Sequence, residues 1–262
     1  MHALLTSFFA LYLAHLVTDF VLQSGRVAAG KRRGSVLAYL EHGGIHFVAG
    51  ASFLGFAVPG LWRNPGFYGV LVALTSVHLG IDWCKMSLVR SKRVTDGAAT
   101  FFGDQCVHFL TVCIAAGWIA RPSAASVMAK ILWFRSEIEK PLLLLVVYVG
   151  VIFGGGYVVR YLTKPLVKRN AELVGETTNE LENAGMYIGW LERFVVLTSL
   201  VLQSPATVGL ILTAKSIARY PELKSVRFAE YFLIGTLLSV TLGILGGLVL
   251  LKALYGTVTL GK

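Results

Sequence analysis

Four times in its first 120 residues the chain sets two ligand-type side chains four residues apart inside an otherwise apolar segment: His15 with Asp19, His42 with His46, His78 with Asp82, and Asp104 with His108. Positions i and i+4 lie one turn apart on the same face of a helix, so each segment presents its pair in a single direction. Five of the six histidines are used this way. Ionisable groups at membrane depth are costly and face a bundle interior or one another rather than lipid. The four paired faces are therefore expected to meet.

The pairs also repeat. His15 to His78 and Asp19 to Asp82 are each 63 residues apart, and His42 to Asp104 and His46 to His108 are each 62 apart. The first two segments thus correspond to the next two, as a tandem copy of a two-helix hairpin. A hairpin crosses a bilayer twice and returns to its starting side. The two copies are then expected to share one orientation, related by an axis along the membrane normal.

The membrane reading rests on apolar content. Of 262 residues 55% are hydrophobic, with a mean hydropathy of +0.69, more apolar surface than one globular core of this size needs. Several runs approach the ~20 apolar residues that cross a bilayer. The expected fold is all-α: a polytopic membrane protein of about eight transmembrane helices, over 4–23, 36–58, 67–89, 98–119, 141–162, 184–202, 206–220 and 228–254. The seventh is short and follows Pro205, so a tilted or re-entrant element is an alternative. The first segment has no basic leader and carries His15 and Asp19, which reads as a retained helix rather than a signal peptide. Residues 1–120 form a duplicated four-helix metal-binding bundle, 121–140 an external amphipathic linker, and 141–262 a C-terminal four-helix half with a cytoplasmic loop at 163–183.

The net charge of +10 follows topology rather than nucleic-acid binding. Basic residues cluster after alternate segments, at Arg26 to Arg33, Lys85 to Arg93, Arg160 to Arg169 and Lys215 to Arg227, which marks those loops as cytoplasmic and puts both termini outside. Counted toward the nearest cytoplasmic arginine, Asp19 lies 7 residues from Arg26, His42 lies 9 from Arg33, Asp82 lies 8 from Arg90 and Asp104 lies 11 from Arg93. At ~1.5 Å per residue these differences amount to about one turn, so all eight side chains share a layer in the cytoplasmic half. Cys84, Cys106 and Cys113 are odd in number and lie in apolar segments, which speaks against a disulfide framework. The Gly154-Gly155-Gly156 run lacks the Gly-Lys-Ser/Thr of a phosphate loop and reads as close helix packing.

Imidazole and carboxylate together suit zinc, iron or manganese, and eight such groups supply one or two divalent ions with a supporting shell. An open coordination position would support hydrolysis of a lipid or lipid-linked substrate from the cytoplasmic side. Glu41, next to His42, is a candidate general base, although about 100° separates the two directions on a helix. Lys85, one turn below Asp82, is placed to receive a phosphate or to snorkel to the interface. Glu192, Arg193, Lys215 and Glu230 form a second polar set in the cytoplasmic half, where opposite charges are expected to pair between helices. Two other classes stay open: a divalent-cation transporter or sensor, and a structural membrane protein whose pairs hydrogen-bond without metal. Apolar outer halves of the first four segments favour a one-sided pocket over a transport path.

The motifs AHLVTDFVLQS, EHGGIHF, VHLGIDWCK and FFGDQCVHF, followed by GWLERFVVLTSL, ILTAKSIARY and AEYFLIGTLLS, resemble a family of bacterial membrane proteins catalogued only as a domain of unknown function. The resemblance implies a bacterial inner-membrane location and no established activity. A looser likeness, limited to His and Asp placement on early helices, is to predicted membrane-bound metal-dependent hydrolases.

Overall fold

The computed structural model describes residues 2–120, 139–174 and 184–256, and the structural statements below are made of these. Among them the chain is helical throughout, with no strand. It divides into two compact units, Met1–Val146 and Val147–Lys262.

In the first unit, α1 (His2–Val17) runs into a π-helical turn (Thr18–Leu22), followed by α2 (Gly25–Arg33) and α3 (Val36–Ala57). A 3-10 turn (Leu61–Arg63) leads to α4 (Pro65–Arg90), and α5 (Ala98–Ala120) comes next. α1 packs against α3 and α5, and α4 packs against the same two, so the four long helices close into a ring in the order α1, α3, α4, α5. The inside of the ring is built from Leu11, Leu13, Leu54, Leu71, Val112 and Ala116, all buried. Glycines set two of the approaches: a Cβ at Gly43 would lie 2.7 Å from Leu79 Cδ1, and one at Gly50 would lie 3.1 Å from Leu71 Cδ2. α3 and α4 therefore run closer than side chains at these positions would allow.

α2 departs from the sequence reading, which made 24–35 a plain basic loop. Ser24 caps its start, its side chain accepting from the Val27 N–H at 3.2 Å. Gly34 ends it in the left-handed region at φ +81°, donating to Gly30 and Lys31 carbonyls. Lys31, Arg32 and Arg33 occupy the last turn, where cations offset the helix dipole. This helix lies against α3 and α4, and a Cβ at Gly30 would be 2.5 Å from that of Ala38.

The second unit contains the rest of a helix that begins with α6 (Glu139–Val149) and passes through a π-helical turn (Gly150–Gly154) into α7 (Gly155–Val174). α8 (Ala184–Val201), α9 (Ala206–Ala218), a 3-10 turn (Glu222–Lys224) and α10 (Val226–Tyr255) follow. α10 packs on α7 and α8. A Cβ at Gly247 would meet Leu200 Cδ1 at 2.5 Å, and one at Gly243 would meet Val196 Cγ1 at 2.7 Å. Of the expected linker at 121–140, Glu139 and Lys140 open α6 and the remainder lies outside the described residues. Of the expected loop at 163–183, residues up to Val174 continue α7 and 175–183 lie outside them.

Five described stretches are long and apolar enough to cross a membrane: Leu4–Leu22, Pro65–Arg90, Ala98–Ala120, Glu139–Pro165 and Phe228–Tyr255. α3 has the length, at 22 residues, but Glu41, His42, His46 and four glycines lower its hydropathy. α9, at 13 residues, spans about 20 Å, short of the ~30 Å hydrocarbon core. Large apolar side chains stand outward on these helices, with Phe56 88% and Leu37 73% exposed. Such surface is costly in water and neutral against lipid.

Candidate metal centre

Each pair reaches the ring interior from a different helix. His15 ends α1 and Asp19 lies in the π turn that follows, His42 and His46 sit on α3, His78 and Asp82 on α4, and Asp104 and His108 on α5. The hydroxyls of Thr18 and Thr111 donate to the His15 and His108 carbonyls at 3.0 and 2.8 Å, which occupies backbone acceptors beside two of the ligands. Seven of the eight paired side chains are buried, and Asp19 is the most open at 11% exposure.

All four pairs converge. His42 Nε2 faces His78 Nε2 at 3.0 Å and lies 3.3 Å from Asp19 Oδ1 and 3.6 Å from Asp82 Oδ2. His78 Nε2 is 3.4 Å from Asp19 Oδ1 and 3.7 Å from Asp82 Oδ2. His46 Nε2 is 3.9 Å from Asp19 Oδ1. His108 Nε2 is 3.5 Å from an oxygen of Asp82 and 3.5 Å from one of Asp104. The His46 and His78 ring centroids are 3.9 Å apart, and those of His15 and His108 5.0 Å.

Three overlapping sets of ligand atoms, each within 4.8 Å of one another, are suited to a cation: His15, Asp19, His46 and His78; His42, His78 and Asp82; and Asp82, Asp104 and His108. Donors around a tetrahedral zinc at ~2.0–2.1 Å stand about 3.4 Å apart, so the sets would close by roughly an ångström or less. Within the cluster, Asp19 Oδ1, His46 Nε2, His108 Nε2 and Asp104 Oδ1 are buried without a hydrogen-bond partner. Each such atom costs about 1–3 kcal/mol unless something satisfies it. Three imidazoles and a carboxylate, as in the first set, are a ligand chemistry for zinc, iron or manganese.

Two lysines reach the same carboxylates. Lys31, from α2, is buried and donates directly to Asp82 Oδ2, and Lys85 Nζ donates to Asp104 Oδ2 at 2.8 Å. Lys31 is held by its own backbone, whose carbonyl accepts from Arg90 Nη1 at 3.1 Å and from the Tyr39 hydroxyl at 3.4 Å. The sequence reading counted Lys31 only among the topological basic residues. It also passed over Gln105, whose Oε1 lies 3.4 Å from His15 Nε2 and whose amide donates to Asp104 Oδ2 at 3.2 Å. Glu41, expected as a general base, is held away from the cluster. Its Oε1 accepts from Arg26 Nη2 at 2.8 Å, and it is 35% exposed. Lys85, expected to receive a phosphate or to snorkel to the interface, is the ion-pair partner of Asp104.

The second polar set splits three ways. Lys215 Nζ donates to Glu192 Oε2 at 2.8 Å and to Thr236 Oγ1 at 2.9 Å, joining α9, α8 and α10. Arg193, buried, donates through Nε and Nη2 to the Ile152 carbonyl at 3.1 and 2.8 Å, and through Nη1 to Ser239 Oγ at 3.1 Å. Ile152 lies in the π turn, whose wider winding leaves that carbonyl for the guanidinium. The glycine run makes room for it: Cβ atoms at Gly155 and Gly156 would lie 3.3 and 3.0 Å from Arg193 atoms. Glu230 is exposed and stands apart from these bonds.

No curated protein and no solved structure matches this chain. Residues 7–134, the stretch that carries all four pairs, match the model of a family described as Protein of unknown function (DUF3307).

Proposed function

We propose that the first unit is the metal centre of a membrane-embedded hydrolase that acts on a lipid or lipid-linked substrate from the cytoplasmic side of a bacterial inner membrane. The observation that supports this most is the convergence of His15, Asp19, His46 and His78, with Asp19 Oδ1 and His46 Nε2 buried and unbonded. A divalent ion, when bound, polarises a phosphoryl or carbonyl oxygen and makes water a nucleophile near neutral pH. His42 lies outside that set but 3.3 Å from Asp19 Oδ1. It is the side chain placed to take a proton from water there.

The ring order supports the duplicated hairpin. α1 stands opposite α4 and α3 opposite α5, as a two-fold axis through the ring requires if the first hairpin maps onto the second. The eight-crossing arrangement with both termini outside depends on α3, α8 and α9, which lie outside the five long apolar stretches, and reporter fusions at each terminus test it.

A pocket fits better than a transport path. Outward of the pairs the buried side chains include Leu11, Leu54, Leu71 and Val112, with Thr6 and Ser7 as polar exceptions. The test is elemental analysis of the untagged protein in detergent, then incubation with a bacterial lipid extract and mass spectrometry of the products, wild type beside His46→Ala. Metal in the wild type and a product missing from the variant are expected. A wild type that stays metal-free after reconstitution with zinc, iron and manganese overturns the reading.

A further inference from the structure

The eight paired residues leave open whether the cluster takes one ion or two, and the lysines decide between them. We propose that the cluster is built for a single divalent ion, held by His15, Asp19, His46 and His78, and that Lys31 and Lys85 are resident cations standing where a second ion would bind. The inference rests on the metal reading above and specifies its stoichiometry and ligands.

Three observations carry it. The first is the distribution of ammonium groups. Asp82 holds Lys31 and Asp104 holds Lys85, so both carboxylates of the third ligand set are already paired. Among the described residues every ion-pair partner of Asp19 is a histidine. The second is the pattern of unbonded atoms. In the first set the free atoms, Asp19 Oδ1 and His46 Nε2, face each other at 3.9 Å with no cationic side chain between them. In the third set the free atoms, His108 Nε2 and Asp104 Oδ1, also face each other, at 3.5 Å, but there Asp104 is already paired with Lys85 through its other oxygen, and Asp82 with Lys31. The third is charge. With the ligand imidazoles neutral, as coordination requires, and His42 and His108 counted as neutral too, three carboxylates against two ammoniums leave one negative charge in the cluster. One divalent ion turns that into a single positive charge. Two would leave three positive charges in a layer shielded from water, where like charges repel strongly.

Lys31 is also placed for this task by its support rather than by chance. Its carbonyl is gripped by Arg90 and Tyr39, and α2 is pressed onto α3 at Gly30. A lysine that merely snorkelled would point to the aqueous boundary; this one points inward from a capped helix.

Two isosteric substitutions test the assignment. In untagged protein loaded with zinc and freed of excess, the wild type should hold about one ion per chain. Asp19→Asn should lower affinity by at least roughly 100-fold, more than the loss of an outer-shell partner costs. Asp104→Asn, equally conservative and in the same layer, should keep the ion. The double variant Lys31→Met and Lys85→Met should gain a second ion, because Asp82, Asp104 and His108 then become an uncompensated ligand set. Far-UV circular dichroism and size-exclusion profiles identify any variant that has not folded, and the asparagine pair decides the matter if the double variant fails. Two ions in the wild type, or loss of the ion in Asp104→Asn with retention in Asp19→Asn, overturns the single-ion assignment while leaving a metal centre in place. A wild type with no ion overturns the underlying reading as well.

Discussion

Lys31 and Asp82 are 51 residues apart in sequence and in direct contact inside the ring. Both are buried, so removing one leaves the other as a charge without its partner, at a cost of about 3–5 kcal/mol. Lys31→Met alone is expected to lower the thermal midpoint of the detergent-solubilised protein by several degrees. Zinc should restore more of that loss in the variant than it adds to the wild type, because the buried carboxylate left unpaired can then take the ion. Equal zinc shifts in both proteins would contradict this.

A separate prediction concerns helix spacing. Gly43 sits between the ligands of α3 and against Leu79 of α4. Gly43→Val adds volume where a single Cβ already lies 2.7 Å from Leu79 Cδ1, and overpacking of this kind costs about 1–3 kcal/mol. The variant retains every ligand yet should bind metal at least tenfold more weakly, since a displacement of roughly an ångström takes His42 and His46 away from Asp19. Isothermal titration of apo-protein with zinc measures it, and unchanged affinity would show that the α3–α4 spacing does not set the site.

Glu41→Gln separates the ion pair with Arg26 from the cluster. Arg26 is 82% exposed and Glu41 35%, so the pair contributes little, about 0–1 kcal/mol after solvent screening. Metal content and thermal midpoint should both stay close to wild type. Loss of the ion would place Glu41 in the centre after all.

The second unit should respond independently. Arg193→Lys keeps the charge but loses the fork that bonds the Ile152 carbonyl twice and Ser239 once, and the two side chains are not interchangeable at such a site. A destabilisation of about 1–3 kcal/mol follows from the carbonyl and hydroxyl left unsatisfied, with metal content unaltered. A fall in metal content would mean that the two units are coupled.

What the sequence discloses and what it conceals divide along the reach of local periodicity. Helices α3, α4 and α5 are legible because their apolar runs are contiguous, and the facing of His78 with Asp82 follows from a four-residue spacing alone. Lys31 is not legible. Its destination lies on another helix, and within Lys31-Arg32-Arg33 nothing local distinguishes the residue that turns inward from the two that stay exposed. A combined signal was present in Ser24 and Gly34, which bracket α2 as start and stop residues, but the polar composition between them hid it. The π turns were equally hidden. His15 and Asp19 are four apart in either winding, and Thr-Asp-Phe-Val-Leu has no feature that forbids an α-helical continuation.

That first π turn carries a consequence for how the gene tolerates change. A π turn holds one residue more than the α-helical turn it replaces, so each residue beyond Leu22 stands about 100° and about 1.5 Å behind the place that uninterrupted α-helical winding would give it. Deleting a single codon between Phe20 and Leu22 would let the turn relax to α-helix. Every ligand and both lysines would still be encoded, and Ser24 would start α2 on nearly the same bearing, because the turn gives up the one residue it holds in excess and Lys31 is still delivered to Asp82. For this centre, the end of α1 is a place where the gene can lose one codon while the residues that line the site keep their positions.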